Sequence, residues 1–217
     1  MKIYAVVNQK GGVGKTTSVI NIGAYMAAGG LRVLIVDLDP QANATSGLGI
    51  DKSGVEKSTY DLLLQSAGLE EIVLPANGTS NLFLLPANPA LSGAEVELVN
   101  EMAREFRLQQ ALQAADDRYD YILIDCPPSL SVLTINALTA ARDGVLIPIQ
   151  CEYLALEGLS QLMHTLDMVR RYLNHDLQVR GMLMTMYDSR TNLSRQVVEE
   201  VRSHFPGKVF RTIIPRN

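Results

Sequence analysis

Between Asn8 and Thr17 the chain reads Asn-Gln-Lys-Gly-Gly-Val-Gly-Lys-Thr-Thr. Gly11, Gly12 and Gly14 let successive backbone N–H groups turn toward one anion. A helix opening straight after them adds a favourable partial charge. In such a loop Lys15 reaches the outer phosphates of a nucleotide and the Thr16 hydroxyl ligates Mg²⁺, with Val13 and Thr17 completing the cradle. The usual spacing G-x-x-x-x-G-K-[ST] is missed by one residue, because its first position is Gln9. A second lysine, Lys10, stands at the mouth of the loop instead.

Phosphate chemistry of this kind also needs acids to hold metal and position water. Two acidic groups follow apolar runs: Asp37-Leu38-Asp39-Pro40-Gln41 after Val33–Val36, and Asp125-Cys126-Pro127-Pro128 after Tyr121–Ile124. Asp125 ends its run in the manner of a Walker B acid, as a ligand of Mg²⁺ directly or through water. A period of two places Asp37 and Asp39 on one side, one for metal water and the other for the attacking water. The competing role is that an Asp at a strand end caps the turn that follows.

The elements that must carry these residues alternate. Strands are expected at Ile3–Val7, Val33–Val36, Leu82–Leu85, Tyr121–Ile124, Val145–Ile149, Val179–Met184 and Val209–Ile214. Several are apolar throughout, as parallel strands covered on both faces are. Helices are expected at Thr16–Ala28, Ala94–Ala114, Leu130–Ala141, Leu156–Tyr172 and Leu193–His204, with loops over Asn43–Ser58 and Leu74–Asn81. This order predicts an α/β fold with a doubly wound, mostly parallel sheet flanked by helices, and a site at the strands' C-terminal ends.

The three motifs together resemble the deviant Walker A ATPases, and within them the ParA/Soj chromosome- and plasmid-partitioning proteins. The segments Asn43–Gly49, Leu133–Leu138, Gln150–Gly158 and Ile214–Asn217 agree as well, so the likeness spans the chain. It implies a deviant P-loop NTPase fold over residues 1–217 as a single domain. It also implies an ATP- and Mg²⁺-dependent homodimer in which Lys10 is the signature lysine reaching the partner's nucleotide. By the same resemblance Asp39 orients the hydrolytic water, and Pro215 and Asn217 contact the adenine side. Further implications are non-specific binding to double-stranded DNA, stimulation by a ParB-type centromere-binding protein, and a cytoplasmic, nucleoid-associated location with no membrane. The family continues past Pro-Arg-Asn with a loop and helix, so a truncated C-terminus is expected. A MinD-like membrane-positioning ATPase and a P-loop metabolic ligase share the loop and the acids.

Composition bounds the rest. The chain has 217 residues, 47% of them hydrophobic and 19% charged, which suffices for a sizeable core and excludes a disordered chain. Two cysteines exclude a disulfide scaffold. Cys126 and Cys151 lie in no C-x-x-C pair and read as small buried hydrophobes rather than cluster ligands. No apolar run approaches the roughly 20 residues a membrane span needs. The net charge of −4 speaks against nucleic acid, but it is uneven. Residues 176–217 carry seven Lys and Arg against four Asp and Glu, a local +3 that leaves −7 elsewhere. Backbone-directed DNA binding needs only a local cationic patch. Arg190 and Arg195 are its candidate contacts, unless they pair with Glu199 or Glu200 on a solvated helix face.

Overall fold

The computed structural model describes residues 1–115, 117–152 and 155–216. In chain order its elements are β1 (Lys2–Val6), α1 (Lys15–Ala28), β2 (Val33–Asp37), α2 (Asn43–Gly47), α3 (Thr59–Leu63), α4 (Leu69–Ile72), β3 (Leu74–Pro75) and β4 (Leu82–Leu85). Then come α5 (Leu91–Glu97), α6 (Arg107–Leu112), β5 (Tyr121–Asp125), α7 (Val132–Ala140), β6 (Val145–Gln150), α8 (Ala155–Tyr172), β7 (Val179–Thr185) and α9 (Asn192–His204). One seven-stranded sheet has the order β3-β4-β2-β5-β1-β6-β7. Every pair is parallel except β3 with β4.

The uniformly apolar strands are explained by their two covers. Val33 and Ile35 pack into one core with Val19 and Ala27 of α1, whereas Leu34 and Val36 pack into the other. That second core takes Leu133 and Ala137 from α7, Leu159 and Leu162 from α8, and Val197 and Val201 from α9. Alternate residues over Val33–Val36 therefore serve opposite faces, and none of these four positions is left for a polar side chain. The fit of α1 is close: a Cβ on Gly23 would stand 2.9 Å from Ile35 Cδ1.

Three expectations need correction. The helix expected over Ala94–Ala114 is two helices, α5 and α6, separated by short 3₁₀ turns. Ala103 adopts a left-handed conformation (φ 53°) between them. The buried side chain of Asn136 satisfies the interrupted backbone, accepting from Leu108 N–H (3.0 Å) and donating to the Arg104 carbonyl (2.8 Å). Val209–Ile214 forms no strand; it runs beside β7 with isolated bridges Met182–Val209 and Tyr187–Pro215. The segments expected as loops hold α2 and the edge strand β3, whose Pro75 is tolerated at an edge. No helix among the described residues is long and apolar enough to cross a membrane.

Candidate functional site

Strand β1 lies in the interior of the sheet between β5 and β6, and the phosphate loop leaves its C-terminal end. Asn8 anchors the start of the loop, donating to the Pro148 carbonyl beyond β1 (2.7 Å) and accepting from Lys10 N–H (3.0 Å). The far side is tied to β7, where Thr185 Oγ1 donates to the Val13 carbonyl (2.9 Å). Gly12 and Gly14 have φ of 75° and 91°, the left-handed region that favours glycine. A Cβ on Gly11 or Gly12 would meet no atom within 4 Å, so the concave side of the loop opens into free space. The first N–H groups of α1 have no side-chain cap and no acid in the first turn. Such an arrangement suits an anion.

The loop faces a cleft of about 610 Å³. Gly11, Gly12, Gly14, Lys15, Thr16, Thr17 and Asp39 line it, as the sequence led one to expect of residues handling a nucleotide. Val13 is buried behind the loop. Gln41, Asn43, Pro128 and Met186 line it too. Met186 follows β7 with φ 51°, which turns it out of the strand alternation that buries Met182 and Met184. Lys15 is buried, and its ammonium donates to the Lys10 carbonyl (3.0 Å). Burial lowers its pKa, against the raising effects of Asp125, Cys126 and Asp39.

The acids separate into two kinds. Asp37 and Asp125 are register partners on neighbouring strands, and both are fully buried. Asp37 has its donors within the protein: Thr45 N–H (2.8 Å) and Thr45 Oγ1 (2.7 Å) on Oδ2, and Asp39 N–H (3.2 Å) on Oδ1. Both oxygens of Asp37, named above as a candidate metal ligand, thus accept bonds from the turn that follows, the capping arrangement the sequence also allowed. The strand ends at Asp37, so the period of two does not reach Asp39. Asp39 instead accepts from Gln41 N–H (2.9 Å) and faces the cleft. Burial raises the Asp37 carboxyl to about 6.

Among the described residues no donor is in hydrogen-bonding geometry with either carboxylate oxygen of Asp125. Burial, first, and then Asp37 and Asp39 raise its carboxyl to about 7; the nearby Thr16 hydroxyl and Lys15 oppose the shift. A buried carboxylate with no donor, beside a threonine hydroxyl at the head of the phosphate loop, is a donor set that suits a hard divalent cation.

The remaining described candidates do not line the cleft. The Lys10 ammonium pairs with Glu152 of its own chain. Pro215 bridges to Tyr187 and does not line the cleft, and Asn217 lies outside the described residues. Arg190 and Arg195 stand around the start of α9. Arg190 pairs with Asp188, and Arg195 bonds Asn192, so neither is taken by Glu199 or Glu200. Glu152, Thr45 and Asp188 are the site partners that motif reading missed. Asp188 alone had a local signal, its position two residues before an arginine.

Fold, phosphate loop and strand-end acids define a P-loop ATPase. A family model described as an AAA domain matches residues 1–179. The chain is 57% identical to sporulation initiation inhibitor protein Soj of Bacillus subtilis, covering 100% of this chain and 85% of that protein. It is 55% identical to chromosome partitioning protein ParA of Myxococcus xanthus, covering 100% and 76%. Among solved structures, cobyrinic acid a,c-diamide synthase from Mycobacterium smegmatis, with bound ATP analogue and magnesium, superposes with a TM-score of 0.94 at 43% identity. That match covers 100% of this chain and 88% of the other. The chain belongs to the ParA/Soj family of partitioning ATPases.

Proposed function

We propose that the ATP-bound chain pairs with a second copy, that the pair holds double-stranded DNA without reading its sequence, and that hydrolysis releases it. The reading places the protein in the cytoplasm on the nucleoid, with a ParB-type centromere-binding protein as the partner that speeds hydrolysis. The observation that carries it is the contrast between the two loop lysines. Lys15 is buried within its own cleft, whereas Lys10 lines no part of that cleft and its side chain is 39% exposed. An exposed cation at the mouth of a phosphate loop is placed to serve a second copy's nucleotide.

In this mechanism the loop N–H groups and Lys15 hold the β- and γ-phosphates of ATP. Thr16 and Asp125 would hold Mg²⁺, which would neutralise charge on the phosphate oxygens. Asp39 accepts a hydrogen of the attacking water and fixes its direction. Asp37 keeps Asp39 in place through the backbone N–H it accepts. The partner's Lys10 meets the charge that develops in the transition state, in the manner of an arginine finger. Leaving Glu152 is the cost of that movement. Hydrolysis by a lone copy is correspondingly slow.

The test is the size and DNA retention of the protein with ADP, with ATP, and of Asp39→Ala with ATP. Dimers on DNA are expected with ATP alone, and persistent ones with Asp39→Ala. A monomeric Asp39→Ala protein in saturating ATP would overturn the role given to Asp39. A second reading, a metabolic ligase, draws on the name of the Mycobacterium smegmatis structure. It requires ATP turnover that depends on an organic substrate and ignores DNA. A membrane-positioning role requires ATP-dependent sedimentation with liposomes instead of DNA.

A further inference from the structure

The two arginines assigned to DNA are in different states. Arg195 bonds the neutral side chain of Asn192. Arg190 is locked by a fork onto Asp188: Nε donates to Oδ1 (2.9 Å) and Nη2 to Oδ2 (2.7 Å). The arginine side chain is 85% exposed and the aspartate side chain 18%. A second cation is near, because Arg216 N–H donates to the Tyr187 carbonyl (2.9 Å) and brings the end of the chain to this loop. Arg190, chiefly, with a smaller effect of Arg216, pulls the Asp188 carboxyl down to about 2, so it stays charged across the working pH range.

The loop does not need this carboxylate for its shape. The Asp188 carbonyl accepts from Thr191 N–H (3.2 Å) and Thr191 Oγ1 (3.1 Å), and the Asp188 N–H donates to Ser194 Oγ (3.3 Å). Thr191 in turn caps α9 through Ser194 N–H. The one structural bond to the carboxylate, from Arg190 N–H to Oδ1 (3.0 Å), could equally be accepted by an amide oxygen. The negative charge is thus dispensable to the fold, while it pairs with the exposed guanidinium of Arg190.

We infer that Asp188 sets the strength of DNA binding by competing with the DNA phosphate for the guanidinium fork of Arg190. This rests on the reading that Arg190 contacts DNA. Carboxylate and phosphate both fit the planar fork of an arginine. Asp188 is held two residues away, so a phosphate must displace it at every encounter. The pair is exposed, and exposed pairs are weak; the aspartate therefore attenuates binding without blocking it. Moderate affinity suits a protein that must let go of DNA when its nucleotide changes.

The test measures binding of a labelled duplex of arbitrary sequence to the ATP-loaded chain across a salt series. Asp188→Asn, Arg190→Ala and the double variant are compared. Asp188→Asn is expected to bind about two- to fivefold tighter, the range an exposed ion pair supports. Its slope of log affinity against log salt should steepen by up to about one. The gain should vanish in the Arg190→Ala background. If Arg190→Ala binds as the parent does, the assignment of Arg190 to DNA is wrong. If Arg190→Ala weakens binding but Asp188→Asn gives no gain, or gives the same gain without Arg190, the competition is refuted. Asp188→Ser, which keeps a short acceptor, gives the same readings if Asp188→Asn melts early.

Discussion

Asp125 is expected to be a liability to the protein without nucleotide, and Asp125→Asn tests this. Burial, first, and then the charges of Asp37 and Asp39 raise its carboxyl from the ordinary 3.8 to about 7, against the lowering effect of the Thr16 hydroxyl and Lys15. A raised acid costs stability when ionised. Its contribution is most favourable below the unfolded value of 3.8 and is lost as pH rises through about 7. Three units at 1.36 kcal/mol each correspond to about 4 kcal/mol at pH above 7. An asparagine removes that charge but buries an amide with no partner, which costs about 1–3 kcal/mol. The net expectation at about pH 8, in chelator and without nucleotide, is a variant about 1–3 kcal/mol more stable than the parent. Near pH 5 the folded parent is already protonated, and the advantage shrinks or reverses. Urea unfolding followed by circular dichroism at the two pH values measures both numbers. With Mg²⁺ and ATP in large excess the order should invert, since a ligand at about 1,000 times its Kd adds about 4.1 kcal/mol to the parent, more than the variant's advantage. A variant less stable than the parent at pH 8 in chelator would refute the reasoning. So would a variant stabilised by Mg²⁺ and ATP as much as the parent.

Two glycines should behave in opposite ways. Gly12→Ala adds a Cβ to open space at φ 75°, so it should cost only about 1–2 kcal/mol of stability while lowering ATP affinity at least tenfold, measured by nucleotide titration. Gly144→Ala forces a Cβ to 2.4 Å from the Gln178 carbonyl oxygen at φ 111°, and should cost more than about 3 kcal/mol, measured by thermal unfolding. Lys10→Ala should bind ATP as the parent does yet lose at least about a hundredfold in hydrolysis, because only charge stabilisation is removed; unchanged turnover would show that Lys10 has no catalytic part. Burial pushes the Cys126 thiol well above its ordinary range and that of Cys151 to about 11. Iodoacetamide should therefore label neither in the native protein at neutral pH and both in urea.

What could be read from the sequence was what neighbouring residues decide among themselves. The strands β1, β2, β4, β5 and β6 are legible because burial on both faces leaves unbroken apolar runs. The phosphate loop was recognisable because glycines, lysine and threonine must be adjacent to wrap one anion. The break between α5 and α6 was not, because it depends on Asn136, whose side chain holds Arg104 and Leu108 from about 30 residues downstream. The Lys10–Glu152 pair spans a still longer separation and has no local trace.

Asp37 and Asp125 show where such reading ends. Both close an apolar strand, both are buried, and they face each other in register. Their difference comes from a third residue. Thr45, at the start of α2, donates twice to Asp37 and makes no bond to Asp125. Thr45 lies in a stretch rich in glycine, serine and asparagine that has the composition of a loop, so nothing local to it announces the bond. The bond also fixes Asp39, since the same carboxylate that Thr45 holds accepts the Asp39 N–H. One hydroxyl thus ties the first acid into the turn that carries Asp39, and the second acid receives no bond from it. The chemistry of this site was written in the residue types, but its division of labour was set by packing.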